Sequence, residues 1–267
     1  MKMMKKVLAL LIIAVMMLTM AACGGNKDTL SDIKPKSDVA AIQDAGKLVV
    51  GVTVYEPMNY LNKDGAWDGF DTEFANAVAK KLGVEAQFVI IDWDNKWASL
   101  NSKKIDCVWN GMTLSDEAKA NASCTDPYVL NAQVVVMKAD KVADYKDAAS
   151  MKDLKFAVEA GSAGKDIANE NKFTITEYAT QTDAMSAVKA GKADACVIDI
   201  TMAKAMTGEG TNFADLGIGV SLTEEEYAIA CRKDSDLTAK INELMKELKN
   251  DGTLTGLATK YNLNLAE

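Results

Sequence analysis

WDGFDTEFANAVAKKLGVEAQFVIIDWDNKWASLNSKKIDCVWNGMTLSDEAKANASCTDPY, residues 67 to 128, decides how the chain reads. In its first part Phe70, Phe74, Ala77, Val78 and Leu82 recur at helical spacing behind Asp71. That pattern predicts a buried helix over 69–83 with Asp71 as its N-cap. Two apolar runs follow, 87–92 with Trp93 just past its end and 105–113, and a polar turn closes on Thr125 to Tyr128. Helix, strand, strand and turn in this order are the parts of an α/β unit.

Working outward, strand-like runs at 47–54, 86–92, 105–110, 132–138, 155–159, 173–178, 194–199 and 226–232 alternate with helical runs such as 180–190 and 237–248. The fold class is therefore α/β, and the length suits two similar halves better than one. The chain has no histidine, which excludes histidine-based zinc sites and Ser-His or Cys-His catalysis. Cys107, Cys124, Cys196 and Cys231 allow three disulfide pairings, but each sits where a small apolar residue would serve. Four free, buried thiols are the expectation.

The motifs and their order resemble the polar amino-acid solute-binding proteins of ABC importers, solute-binding protein family 3. Besides the opening stretch, the likeness rests on YEPMNYL (55–61), VEAGSAG (158–164), DACVID (194–199) and EYAIACRKDSDL (226–237). It implies the type II periplasmic-binding-protein fold: two α/β lobes, 46–131 with 227–267 and 135–222, joined by two hinge strands. The ligand of such a fold lies where strand ends of both sheets face each other.

The same resemblance assigns side chains. Asp199 matches the aspartate that takes a ligand ammonium, with the carbonyl of Asn110 or Gly111, beside Met112, and the hydroxyl of Thr113 as further partners. Read without the resemblance, Asp199 would N-cap a helix over 200–206. Trp93 and Tyr55 match aromatic positions that pack on the ligand. Ser162 and Ala163 open a helix whose exposed N–H groups suit a carboxylate, although Ser162 could equally cap that helix. One position departs from the pattern: Ala118 stands where the carboxylate-clamping arginine is usual, and the single arginine, Arg232, lies in the return strand. Lys119, Lys165 or backbone N–H groups would then have to meet a ligand carboxylate. With Asp199, Glu56 and Glu159 nearby, a cationic or carboxylate-poor ligand is favoured.

The ends of the chain add a location. Residues 1–22 read as a secretory leader, with Lys2, Lys5 and Lys6 before an apolar core too short to span a bilayer comfortably. TMAAC (19–23) resembles a lipobox, which makes Cys23 the expected lipid attachment site. Small and polar residues over 23–45 read as a flexible tether. With the three leader lysines removed, 27 of the 30 basic residues remain against 38 acidic ones, a formal charge of −11 that argues against nucleic-acid binding.

Together these readings give a monomeric receptor, lipid-anchored on the extracytoplasmic face, that needs no cofactor or metal. Its partners are a small polar solute, an amino acid or related amine, and an ABC permease with a cytoplasmic ATPase. Two alternatives remain: a sensory or surface-interaction lipoprotein of the same fold, and a prephenate or arogenate dehydratase-like enzyme.

Overall fold

The computed structural model describes residues 37–267. The leader and Cys23 lie outside them. Ser37 caps the first helix, α1 (Asp38–Ala45), its hydroxyl accepting the Ala40 N–H at 2.9 Å. The tether expected over 23–45 is thus too long by one helix, because Ser37 supplies a cap and Ile42 an apolar contact to bury. The first lobe continues with β1 (Lys47–Val52), the short hairpin β2 (Tyr60–Leu61) and β3 (Trp67–Asp68), α2 (Phe70–Leu82) and β4 (Glu85–Ile90). It goes on through α3 (Lys96–Asn101), β5 (Cys107–Val108), α4 (Asp116–Asn121) and β6 (Ser123–Cys124).

Strands β7 (Val129–Asn131) and β8 (Gln133–Lys138) carry the chain into the second lobe. There follow β9 (Lys155–Glu159), α5 (Ala163–Glu170), β10 (Thr174–Tyr178), α6 (Gln181–Lys189), β11 (Ala195–Asp199), α7 (Ile200–Met206) and β12 (Leu216–Ser221). Strand β13 (Glu225–Tyr227) returns, pairing antiparallel with β7, and β14 (Ala230–Cys231), α8 (Leu237–Asn250) and α9 (Thr253–Tyr261) complete the first lobe.

Each lobe is built on one five-stranded sheet, in the orders β4-β1-β5-β14-β6 and β10-β9-β11-β8-β12. In the second sheet β9, β11 and β8 are buried almost end to end, so their sequences are continuous apolar runs without alternation. The two-lobed α/β architecture expected from the sequence is present, and the chain crosses between lobes twice, at β7–β8 and at β13. Cys107, Cys196 and Cys231 are free and buried; Cys124 is free and half-buried. Among the described residues no helix is long and apolar enough to cross a membrane.

One local reading needs correction. Asp71 does not cap α2; Gly69 does, at φ 118°, where a Cβ would lie 2.4 Å from the Met58 carbonyl oxygen. The helix therefore starts one residue ahead of Asp71, whose side chain turns inward. Its buried carboxylate accepts the Gly111 N–H at 2.6 Å and the Tyr128 hydroxyl at 2.9 Å. Phe70, Phe74, Trp109 and Tyr128 pack around it, the Phe74 and Trp109 rings edge to face at 4.8 Å.

Candidate ligand-binding cleft

Sheet topology alone brings the strand ends together. The C-terminal ends of β1, β4 and β5 in one lobe face those of β9 and β11 in the other across a cleft of about 570 Å³, open mouth included. Tyr55, Trp93, Asn110, Gly111, Met112, Thr113, Ser162, Ala163 and Asp199 all line it. Every side chain expected of the binding site is thus on one surface, though not every one is free to bind.

Asp199 ends β11 and occupies the N-cap position of α7, yet its side chain makes no capping bond. Oδ1 accepts instead from Asn131 (2.5 Å), Gln133 (2.9 Å) and Tyr227 (2.9 Å), and Oδ2 accepts from Gln181, whose own carbonyl takes the Asp199 N–H at 3.0 Å. Four donors hold the carboxylate away from its helix and toward the cleft. Burial, and then the nearby Glu225 charge, push its pKa well above the usual carboxylate range. Asn131 and Gln133 also donate to Glu225, at 2.7 and 2.8 Å, so the hinge and β11 share one polar network.

In the first lobe the polar side chains are largely spent on the protein itself. Asn110 accepts the Thr53 N–H and hydroxyl and donates to the Thr53 carbonyl, which fixes the end of β1 against the end of β5. Thr113 donates its hydroxyl to Glu225 at 2.8 Å, bridging lobe to hinge. The Gly111 N–H goes to Asp71. Tyr55 reaches across to Thr201 and Tyr227, a hydroxyl cluster that links both lobes through the hinge. Ser162 caps α5: its hydroxyl accepts the Lys165 N–H at 3.1 Å and donates to the Glu159 carbonyl at 2.8 Å.

Trp93 is 8% exposed and stands in the cleft with the Lys96 ammonium 5.1 Å above its ring. The same ammonium lies 5.1 Å over the ring of Trp97 and donates to the Gly161 carbonyl across the cleft at 2.7 Å. Sequence reasoning assigned neither Lys96 nor Trp97. Their signal was present: Trp93, Lys96 and Trp97 follow one another at i, i+3 and i+4, a spacing that stacks side chains on one face of a turn. Lys119 and Lys165, the candidate stand-ins for the missing arginine, are not in the cleft lining; Lys165 pairs with Glu177 at 2.9 Å and Lys119 with Asp116 at 4.0 Å. Arg232 bonds Asp38 and Asp106, tying α1 to the first sheet. Ala118 does line the cleft, and it is 1% exposed.

Glu159, Glu117, Asp166, Gln181 and Met202 complete much of the lining. Glu159 is 4% exposed, and burial followed by repulsion from Asp199 pushes its carboxyl to about 8. Burial pulls Lys96 down, against the raising influence of Glu117 and Glu159. Among the described residues that line the cleft, Lys96 is the one basic side chain against four acidic ones.

Two lobes closing on a single polar and aromatic cleft define a solute-binding protein of the two-lobed class. The chain belongs to the bacterial extracellular solute-binding proteins, family 3, whose pattern it matches over residues 48–264. It is 31% identical over 224 residues to the L-cystine-binding protein TcyJ of Escherichia coli (strain K12), covering 82% of this chain and 84% of that one. It is also 31% identical over 267 residues to the arginine-binding extracellular protein ArtP of Bacillus subtilis (strain 168), covering 97% and 98%. Among solved structures, the ancestral amino acid-binding protein AncCDT-1, described as a precursor of cyclohexadienyl dehydratase, superposes with a TM-score of 0.77 at 31% identity, over 84% of this chain and 99% of that one. These two relatives are named as binding proteins, not enzymes.

Proposed function

We propose that this chain is the receptor of an ABC importer, capturing a small amine-bearing solute of amino-acid size between its lobes and delivering it to a permease. The observation that carries the reading is Asp199: a buried carboxylate at a strand end, held off its own helix by four donors and lining the cleft. A carboxylate so placed is a ready seat for a ligand ammonium, with Trp93 as the wall beside it. Catalysis is not part of the reading. The relatives named as cystine- and arginine-binding proteins lend support to an amino acid or related amine.

Asp199→Ala tests it. Removing one member of a buried charged pair weakens binding by roughly 2–5 kcal/mol, so calorimetry on the best-binding amine is expected to lose about thirty-fold or more in affinity. Unchanged affinity in a variant with native circular dichroism would remove the ammonium seat from the reading.

In the same proposal Cys23 carries the lipid that keeps the receptor on the extracytoplasmic face, as TMAAC at 19–23 suggests. Cys23→Ser is expected to lose incorporation of labelled fatty acid and to leave the membrane fraction or stay unprocessed. Labelled fatty acid in the Cys23→Ser protein would point to another anchor.

A further inference from the structure

The charges of the cleft do not balance. Glu117, Glu159, Asp166 and Asp199 face it, and Lys96 is the basic side chain set against them. The Lys96 ammonium is already engaged by the Gly161 carbonyl at 2.7 Å and by two indole rings. Glu117 has a donor of its own, Trp97 Nε1 at 2.6 Å.

Glu159 and Asp166 have no such donor, and of the two Glu159 is the buried one. It is 4% exposed and ends β9, the parallel neighbour of β11 that Asp199 ends. Its backbone carbonyl accepts from Ser162, while its carboxylate lines the cleft with no hydrogen bond within 3.5 Å among the described residues, Gln181 and Lys96 being the groups that ease its charge. A buried, unpartnered carboxylate is costly unless a cation meets it. Asp199 supplies a neighbouring negative charge, which Lys96 and Gln181 relieve only in part, consistent with the high pKa of Glu159.

Two of the groups that would receive a ligand carboxylate are meanwhile occupied or apolar. Ala118 offers a methyl group, and its N–H is bonded to the Ser115 hydroxyl at 3.1 Å. Ser162 spends its hydroxyl on its own helix and on Glu159. A carboxylate entering this end of the cleft would meet two acidic side chains, with the one cation among the described lining residues, Lys96, already held by the Gly161 carbonyl and two indole rings.

We propose that the ligand of this cleft carries two cationic nitrogens, one seated on Asp199 and one on Glu159, and that its binding does not depend on a carboxylate. The chemical class is a short aliphatic diamine or amino-guanidine. The inference rests on the receptor reading and narrows it. Asp199 takes the first cation with its open Oδ2 edge, where Gln181 is the single donor, and Glu159 takes the second with both oxygens. Trp93 and Trp97 cover the alkyl chain between them.

The experiment is calorimetry on the full chain purified in detergent, with 1,4-diaminobutane, 1,5-diaminopentane and agmatine as dications. Butylamine serves as the monocation, arginine and lysine as dications bearing a carboxylate, and cystine and glutamine as zwitterions. The expected result is that at least one carboxylate-free dication binds roughly thirty-fold or more tightly than butylamine, and no more weakly than arginine or lysine; two desolvated charge pairs in place of one support such a ratio. Glu159→Gln is expected to collapse the dication-to-monocation ratio to within about threefold, since the amide keeps the shape and removes the charge. Native circular dichroism and melting in that variant separate charge loss from misfolding.

Cystine or glutamine binding more tightly than every dication, with Asp199 required, would overturn the inference and leave the receptor reading standing. A dication preference that survives Glu159→Gln unchanged would overturn the assignment of the second seat. Binding of none of these probes would bring down both.

Discussion

The two walls of the cleft are made differently. On the first lobe Asn110, Thr113 and Tyr55 are polar, yet each is tied to protein partners, so this wall offers shape, indole faces and backbone. On the second lobe Glu159 and Asp199 stand at adjacent strand ends with charge that the protein only partly neutralises. The first wall is organised before a ligand arrives, whereas the second is left incomplete without one. A receptor so divided gains contact area from one lobe and charge selection from the other. In the proposed receptor, charge on the second lobe lets a cation help to hold the two walls together.

If charge resides on the second wall, pH is the strongest lever on it. Glu159 faces Asp199 from β11, Lys96 from the first lobe, and Asp183 and Gln181 from α6; Asp199 faces Glu225 from the hinge. Both carboxyls are raised, so the native protein holds protons there that the unfolded chain has released. Stability of the ligand-free protein is therefore expected to fall as pH rises from the ordinary glutamate value of 4.5 to about 8. Asp71, raised to about 7 by burial, adds to the same trend without touching the cleft lining.

Affinity for a cation runs the other way. An amine with a pKa of about 10.4 stays charged throughout, while the carboxyls must give up protons to receive it. Binding of a cationic ligand is expected to strengthen between about pH 6 and 8 by up to about tenfold per pH unit for each carboxyl that must ionise, with proton release in calorimetry run in buffers of different ionisation enthalpy. Melting curves across pH, with and without ligand, check both signs. Affinity flat from about pH 6 to 8 would mean that no carboxyl of the second wall releases a proton when the cation binds.

The sequence made the first wall's scaffold easier to read than the second wall's chemistry. The Phe70, Phe74, Val78 and Leu82 stripe, the buried runs of the second sheet and the strand ends at Trp93 and Asp199 follow from periodicity and motif order. What stayed hidden depends on where side chains turn after the backbone is set. Asp71 looked like a cap because it begins the apolar stripe, but the sharp bend at Gly69 advances the helix and sends the carboxylate to Gly111. Lys96 drew no assignment, since its bond to the Gly161 carbonyl joins residues 65 apart in sequence. Glu159 was recognisable as an acid near the turn, but its lack of a partner emerges only from the donors around it.

The contact between the walls can be broken with less effect on either. Gly161 has φ 67° and sits against the first lobe: a Cβ there would lie 2.7 Å from the Asp94 Cα and 2.8 Å from Asp94 Oδ1. Alanine at this position meets two penalties of different kinds. The left-handed backbone costs about 1–2 kcal/mol whether the cleft is open or closed, and so lowers melting temperature. The clash with Asp94 exists only when the lobes are together, and the Lys96 bond to the Gly161 carbonyl is disturbed with it. Gly161→Ala is therefore expected to weaken ligand binding by about tenfold, the equivalent of roughly 1.4 kcal/mol, beyond its effect on folding. Small-angle scattering at saturating ligand should show less compaction than the parent protein. A variant that loses thermal stability while binding and compacting as the parent does would show that the close approach of Gly161 to Asp94 is no part of the bound state, and that the two walls meet their ligand independently.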